Sequence, residues 1–197
     1  MIQRRCRSAS RNAGPARSGF SIIELTVALT LVSIIAAMAI PRLNYERYRA
    51  DAAMRSVKTV LQGAERNAIM RQTNIVVNFD EANRRMEILE DANNNCVLDG
   101  GERLTSRPLE DGARFGLPAS PYPATAPSTA VSGPNLCTMN GYPAVQFLRD
   151  GAASTDADIY VTSSRGLPED YRLVRVIQAS GRAESYRSDG SSWTRYN

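Results

Sequence analysis

Gly19-Phe20-Ser21-Ile22-Ile23-Glu24-Leu25 opens a run of 21 residues, Phe20 to Ile40, in which Glu24 is the only charged side chain; Pro41 closes it. At 1.5 Å per residue a helix of that length is about 31 Å long, close to the roughly 30 Å hydrocarbon core of a bilayer. The run therefore reads as a membrane-spanning helix. The preceding residues carry Arg4, Arg5, Arg7, Arg11 and Arg17 and no acidic side chain, and positive charge before a first span stays in the cytoplasm. Everything after Pro41 is then expected on the far side of the membrane.

A secretory signal peptide is the alternative, because Ala37-Met38-Ala39 fits the small-residue cleavage pattern. Three features oppose it. The apolar stretch is long for a signal-peptide core. It contains a carboxylate, which costs a few kcal/mol in lipid unless it stays near the interface or finds a partner. Helical periodicity also resumes beyond Pro41 where a cleavage-site loop would be needed.

The constellation of glycine, aromatic residue, fifth-position acid, uncharged span and proline resembles the type IV prepilin signature shared by pilins and type II secretion pseudopilins. The resemblance implies that a prepilin peptidase cuts between Gly19 and Phe20 and that Phe20, the new terminus, is N-methylated. It also gives assembly roles to Glu24 and Pro41, with Glu24 pairing to the terminal amine of a neighbouring subunit. Physical chemistry agrees, since a lone carboxylate in low dielectric seeks a cation and an axially staggered helix terminus supplies one.

From Asn44 to Gln72 the periodicity is helical, with Ala50, Ala53, Val57, Val60, Leu61, Ala64 and Ala68 in near 3-4 spacing. Arg47, Arg49, Asp51, Arg55, Lys58, Glu65 and Arg66 fall on the remaining surface. This amphipathic helix, 42–72, continues the membrane helix, 20–41, as one rod with a bend or melt at Pro41. Its narrow, Ala-rich apolar stripe suits packing on a sheet of its own chain or a close helix–helix contact, the former being the more ordinary use. Beyond it the period changes to that of strands. Asn74 to Asp80 and Arg84 to Glu90 flank a short turn and read as a hairpin. Further strands are expected at Ala113 to Leu117, Ala144 to Arg149, Asp158 to Thr162, Tyr171 to Ala179 and Arg182 to Arg187. The stretch 118–134 holds five of the ten prolines and reads as an exposed loop.

The expected organisation is a cleaved basic leader (1–19), the two helical segments and an extracytoplasmic antiparallel β domain (73–197). This is an α+β, pilin-like plan. Ala64-Glu65-Arg66-Asn67-Ala68-Ile69, Phe147 to Gly151 (FLRDG) and Gly181-Arg182 further resemble H-type minor pseudopilins and FimT-like minor pilins. That resemblance implies a structural subunit of a type II secretion pseudopilus or type IV pilus, acting at the tip or in initiation. Its implied partners are the prepilin peptidase, other pseudopilins or pilins, the assembly platform with its ATPase, and the inner membrane, which holds the β domain in the periplasm.

Removing the leader removes Cys6 and leaves Cys96 and Cys137 in an oxidising compartment, as one disulfide or as two unpaired thiols. A disulfide would close a loop of about 40 residues, worth roughly 4 kcal/mol in the chain-entropy model. Around Cys96, Asp91, Asn93, Asn95, Val97 (through its carbonyl), Asp99 and Glu102 have the spacing of a calcium loop, so a structural Ca²⁺ is a candidate. Cys96 stands where such loops carry glycine, and the flanks read as strands; an Asx-rich turn accounts for the same residues.

Some FimT-like minor pilins bind DNA through an arginine-rich turn, and Arg182 with Arg187 and Arg195 is the nearest match, although Glu184 interrupts it. DNA is thus a partner only in an alternative, uptake-pilus reading. No histidine occurs, nor a nucleophile elbow, phosphate loop or dinucleotide fingerprint, so no enzyme activity and no required cofactor are expected. The composition fits this picture. The whole chain has 24 basic and 20 acidic residues, net +4, but the leader takes five arginines with it and leaves the mature chain at −1 with 19 against 20.

Overall fold

Ile22–Ala39 has no internal glycine or proline and forms an 18-residue helix, α1. The computed structural model describes residues 19–39, 45–122 and 127–196. It divides into two units, Met1–Leu43 and Asn44–Asn197. In the first, the large apolar side chains of α1 from Ile22 to Ile35 are exposed on every side. The hydroxyls of Thr26, Thr30 and Ser33 donate to the carbonyls of Ile23, Val27 and Leu29 at 2.8–2.9 Å, so these polar groups are satisfied within the helix. Among the described residues no helix is long and apolar enough to cross a membrane. Ile40 and Pro41, which complete the expected span, lie outside them, as do the arginine leader and Cys6.

The second unit begins with α2, Tyr45–Arg71. It buries Ala50, Ala53, Met54, Val57, Leu61, Ala64 and Ala68, so the expected stripe is the packed one and it faces the chain's own strands. Three positions depart from expectation, the first being Met54, buried although outside the expected stripe. Val60 is only partly buried. Asp51, expected on the surface, is buried because an arginine from the sheet meets it there. The helix ends where Gln72 takes a left-handed φ of 53°, and the Gln72 side-chain amide donates to the Ile69 carbonyl at 2.8 Å, satisfying one of the orphan carbonyls of the last turn.

Among the described residues eleven strands follow: β1 Asn74–Asp80, β2 Arg85–Asp91, β3 Arg103–Pro108, β4 Ala113–Phe115, β5 Val131–Ser132, β6 Cys137–Met139, β7 Tyr142–Phe147, β8 Ala157–Ser163, β9 Arg172–Val176, β10 Ala183–Ser188 and β11 Trp193–Tyr196. One sheet has the order β3-β2-β1-β7-β6; the other runs β11-β10-β9-β8-β4, with β5 also pairing β8. Every pairing is antiparallel. The α+β plan holds.

The β1–β2 hairpin pairs Asp80 with Arg85, one residue later than expected, because Arg84 takes a φ of 53°. Asp80 closes this turn by accepting from the Asn83 amide and Arg85 Nε, each at 3.0 Å. Alternation along β1 divides its side chains between two clusters. Ile75, Val77 and Phe79 join the main core with α2, Val145, Phe147, Ile159 and Val161. Val76 joins a smaller cluster with Leu89, Met139, Ala144 and Cys96. Both clusters lie wholly within the unit 44–197, which therefore carries its own core.

β3, β5, β6 and β11 have no counterpart in the sequence pattern. β3 and β11 are sheet-edge strands; β3 has mostly exposed side chains, and β11 carries its two half-buried aromatics at its ends around exposed Thr194 and Arg195, so neither shows a two-residue hydrophobic period. β6 and β7 are joined by Asn140-Gly141, with φ of 53° and 84°. Asn-Gly in that conformation is the preferred two-residue hairpin connection, and it was the available signal for β6.

Candidate functional site

Gly19 and Phe20 precede α1 as exposed chain without secondary structure. Helical bonding begins at once, with the Leu25 amide donating to the Ser21 carbonyl at 3.0 Å. The Gly19–Phe20 bond is thus accessible in non-helical backbone close to the helix start. Glu24 lies in the first turn, where the helix dipole favours a carboxylate, and among the described residues it has no cationic partner. Pro41 lies outside the described residues.

The three loose motifs converge. Ile69 from the end of α2, Gly151 from the FLRDG turn after β7 and Gly181 from the β9–β10 turn meet at one place. Gly181 has a φ of 64°, and a Cβ there would collide with the Gly151 carbonyl oxygen. A Cβ on Gly151, itself at φ 90°, would come within 2.8 Å of Ile69 Cδ1. A backbone bond ties the two turns together, Ala153 donating to Gln178 O at 2.9 Å, and the β9–β10 turn closes on itself through Gly181 donating to Ile177 O at 2.8 Å. The motifs therefore form the corner at which both sheets close on the helix.

Asp91, Asn93, Asn95, Asp99 and Glu102 are also brought together, in the β2–β3 loop. Asp91 Oδ1 accepts from the amides of Asn94 and Asn95 at 2.7 and 3.2 Å, and its Oδ2 from Cys96 at 2.9 Å. The side-chain amides of Asn93 and Asn95 both donate to Asp99 Oδ2 at 2.7 Å, holding the Asp99 carboxyl below its usual range. Glu102 accepts from the amides of Ala92 and Asp99 at 2.9 and 3.0 Å. In this arrangement the carboxylates point at the loop's own N–H groups. Among the described residues no group of three His, Cys, Asp or Glu side chains converges as a metal site. Cys96 takes the positive φ, 58°, that the sixth loop position calls for, and it is disulfide-bonded to Cys137 in β6. The loop is thereby pinned to the far edge of its sheet.

Of the carboxyl-terminal arginines, Arg182 and Arg195 border one small pocket together with Glu184, while Arg187 turns to the helix. Arg182 is exposed, Arg187 Nη2 bonds Asp51 Oδ2 on α2 at 2.9 Å, and Arg195 Nη2 bonds Glu184 Oε1 at 2.5 Å. Two of the three are thus neutralised within the chain.

Two clusters have no signal in periodicity. Arg172, fully buried, places Nε 2.5 Å from Asp51 Oδ1 and Nη1 2.9 and 2.8 Å from the carbonyls of Glu169 and Tyr171. Burial pulls its guanidinium below the usual value, and the Asp51 carboxylate opposes that pull. On the other face of the second sheet, Tyr122 from the proline-rich loop packs 4.8 Å from Tyr186 and 6.4 Å from Trp193. Arg175 lies 4.7 Å over the Tyr122 ring and grips Asp158 through two bonds of 2.6 and 2.8 Å. Burial and the Asp158 charge push the Tyr160 hydroxyl up to about 12.

Comparison with known proteins follows the same outline. The chain is similar to two structures of the minor pseudopilin EpsH from the type 2 secretion system of Vibrio cholerae. One has 11% identity over 75% of this chain and 96% of that chain, TM-score 0.44; the other has 14% over 74% and 99%, TM-score 0.48. It is also similar to the type IV minor pilin FimU of Pseudomonas aeruginosa, with 12% identity over 75% and 94% and TM-score 0.49. No curated protein matches it. A model of the prokaryotic N-terminal methylation motif matches residues 15–40, covering the Gly19–Phe20 junction and Glu24. Residues 53–181, from the buried face of α2 through both sheets to the Gly181 corner, match the model of type II transport protein GspH, and the chain belongs to that family of prepilin-like minor pseudopilins.

Proposed function

We propose that this structural subunit is cut between Gly19 and Phe20, methylated at Phe20 and held in the inner membrane by residues 20–41, with its terminus cytoplasmic and its β domain periplasmic. An assembly platform and its ATPase then draw it into a type II secretion pseudopilus, at or near the tip. The observation that carries this reading is Glu24, a single carboxylate with no cation beside it among the described residues, in the first turn of an otherwise apolar, uncovered helix. Such a group is costly in lipid unless it is paired. After cleavage the amine of Phe20 on a neighbouring, axially displaced helix offers the missing charge. The H-type resemblance supports a place at the tip rather than in the shaft.

The test is Glu24→Ala in the full chain, expressed with the complete secretion system. The variant is expected to be processed and to stay in the membrane fraction but to be missing from sheared filaments. Incorporation at the unsubstituted level removes the pairing role. The DNA-uptake alternative has Arg182 in its favour and the internal pairing of Arg187 and Arg195 against it. Retardation of duplex DNA at moderate salt, lost on Arg182→Ala, would favour it.

A further inference from the structure

A groove of about 900 Å³ runs between the outer flank of α2 and the edge strand β3. Its helix wall has small residues, with Gly63 open to space, and its floor includes Val60 and Ile88, both partly buried against the core. The opposite wall is β3, which is hydrogen-bonded to β2 on one side and ends the sheet on the other, leaving a row of backbone donors and acceptors without strand partners.

Charge is distributed unevenly along it. Arg103 and Arg107 are exposed on β3 and have no ion-pair partner among the described residues. Four residues apart on a strand, they lie on one face about 13 Å from each other. Arg55 on the helix wall bonds a tyrosine hydroxyl, that of Tyr196 at 2.9 Å, in place of a carboxylate. Arg71 is already held by Glu90 at 2.8 Å. Among the described residues, three guanidiniums that border the groove form no ion pair with a carboxylate, and of its two acids Glu90 is paired while Glu110 is not. A mature chain of net charge near zero carries here a local excess of positive charge beside an open strand edge.

We propose that this groove takes an extended, acidic segment of a partner protein, which adds a strand to the edge of β3 and sets carboxylates four residues apart against Arg103 and Arg107. Backbone pairing supplies register and the arginines select sequence, the usual division of labour in strand addition. The small side chains of Ala52, Ser56 and Gly63 leave room for the segment's inward-facing residues. The groove's lining residues all belong to the unit 44–197, so the proposal does not depend on the assembly reading above.

The experiment uses the full chain in detergent micelles and a fluorescent heptapeptide, Thr-Glu-Val-Thr-Val-Glu-Thr, followed by anisotropy at about 0.1 M salt. Saturable binding is expected, weakened about tenfold or more when both glutamates are replaced by glutamine, and by a similar factor in the Arg103→Glu/Arg107→Glu protein. The lysine-for-glutamate peptide is expected to bind that doubly substituted protein better than the parent, a rescue that misfolding could not produce. Equal binding of the glutamine peptide, absence of the rescue, or binding of a single-stranded oligonucleotide but not the peptide would each overturn the proposal.

Discussion

Asp51 on α2 and Arg172 on β9 form a buried ion pair, Nε to Oδ1 at 2.5 Å, which Arg187 of β10 joins at 2.9 Å to the other carboxylate oxygen. The pair fixes the amino-terminal half of the helix to the second sheet. Removing one partner of a buried pair leaves an uncompensated charge and costs about 3–5 kcal/mol. Asp51→Asn is therefore expected to destabilise the fragment 44–197 by that amount in urea unfolding, while Asp51→Leu with Arg172→Met loses much less. Equal losses in the two would show that the pair acts by shape alone.

Gly181 faces the carbonyl oxygen of Gly151 in a left-handed conformation. Gly181→Ala should cost about 1–3 kcal/mol through backbone strain and the displaced turn. Gly63→Ala, in open space on a helix, should instead be neutral or stabilise by up to about 1 kcal/mol. Thermal melts of the two variants check the opposite signs.

The Cys96–Cys137 bond spans 41 residues, for which the chain-entropy model gives about 4 kcal/mol. Cys96→Ser with Cys137→Ser should lower stability by a figure of that order. The same loss should follow addition of reductant to the unsubstituted fragment, with a mass gain of two hydrogens.

Asp170 is fully buried. Burial pushes its carboxyl up, but hydrogen bonds from Arg165 and Ser163 together with the Arg165 charge outweigh that and hold it below the usual range. A depressed folded value means stability that is fully present above the ordinary carboxylate pKa of about 3.9 and is lost as pH falls through the folded value. Unfolding free energy should therefore decline below about pH 4, and Asp170→Asn should flatten that part of the profile while lowering the plateau. An unchanged acid limb would assign the acid sensitivity elsewhere.

The β2–β3 loop satisfies its carboxylates with its own amides. Millimolar calcium is accordingly expected to leave the melting temperature of the fragment unchanged. A clear upward shift would show that Asp91, Asp99 and Glu102 can exchange those bonds for a cation.

What the sequence displayed was whatever one residue or one period can carry. The α2 stripe from Ala50 to Ala68 and the β1–β2 hairpin were legible because burial repeats at 3.6 or 2 residues. β3 was not, since an edge strand with most of its side chains in water has no period to read. Asp51 was misplaced because position on a helix wheel cannot reveal that Arg172, 121 residues away, supplies its counter-charge. Similarly, spacing alone makes the same oxygens of Asp91 to Glu102 suit a cation or a turn, and only the directions of the N–H groups distinguish them. The Gly151 and Gly181 motifs were visible, but their meeting at the end of α2 is a property of the tertiary fold.

The most direct measurement is the intact mass and amino-terminal sequence of the full chain after co-expression with a prepilin peptidase. The account predicts a protein beginning at Phe20 and heavier by one methyl group on its terminal amine. A chain still beginning at Met1, or one beginning after Ala39, would contradict it.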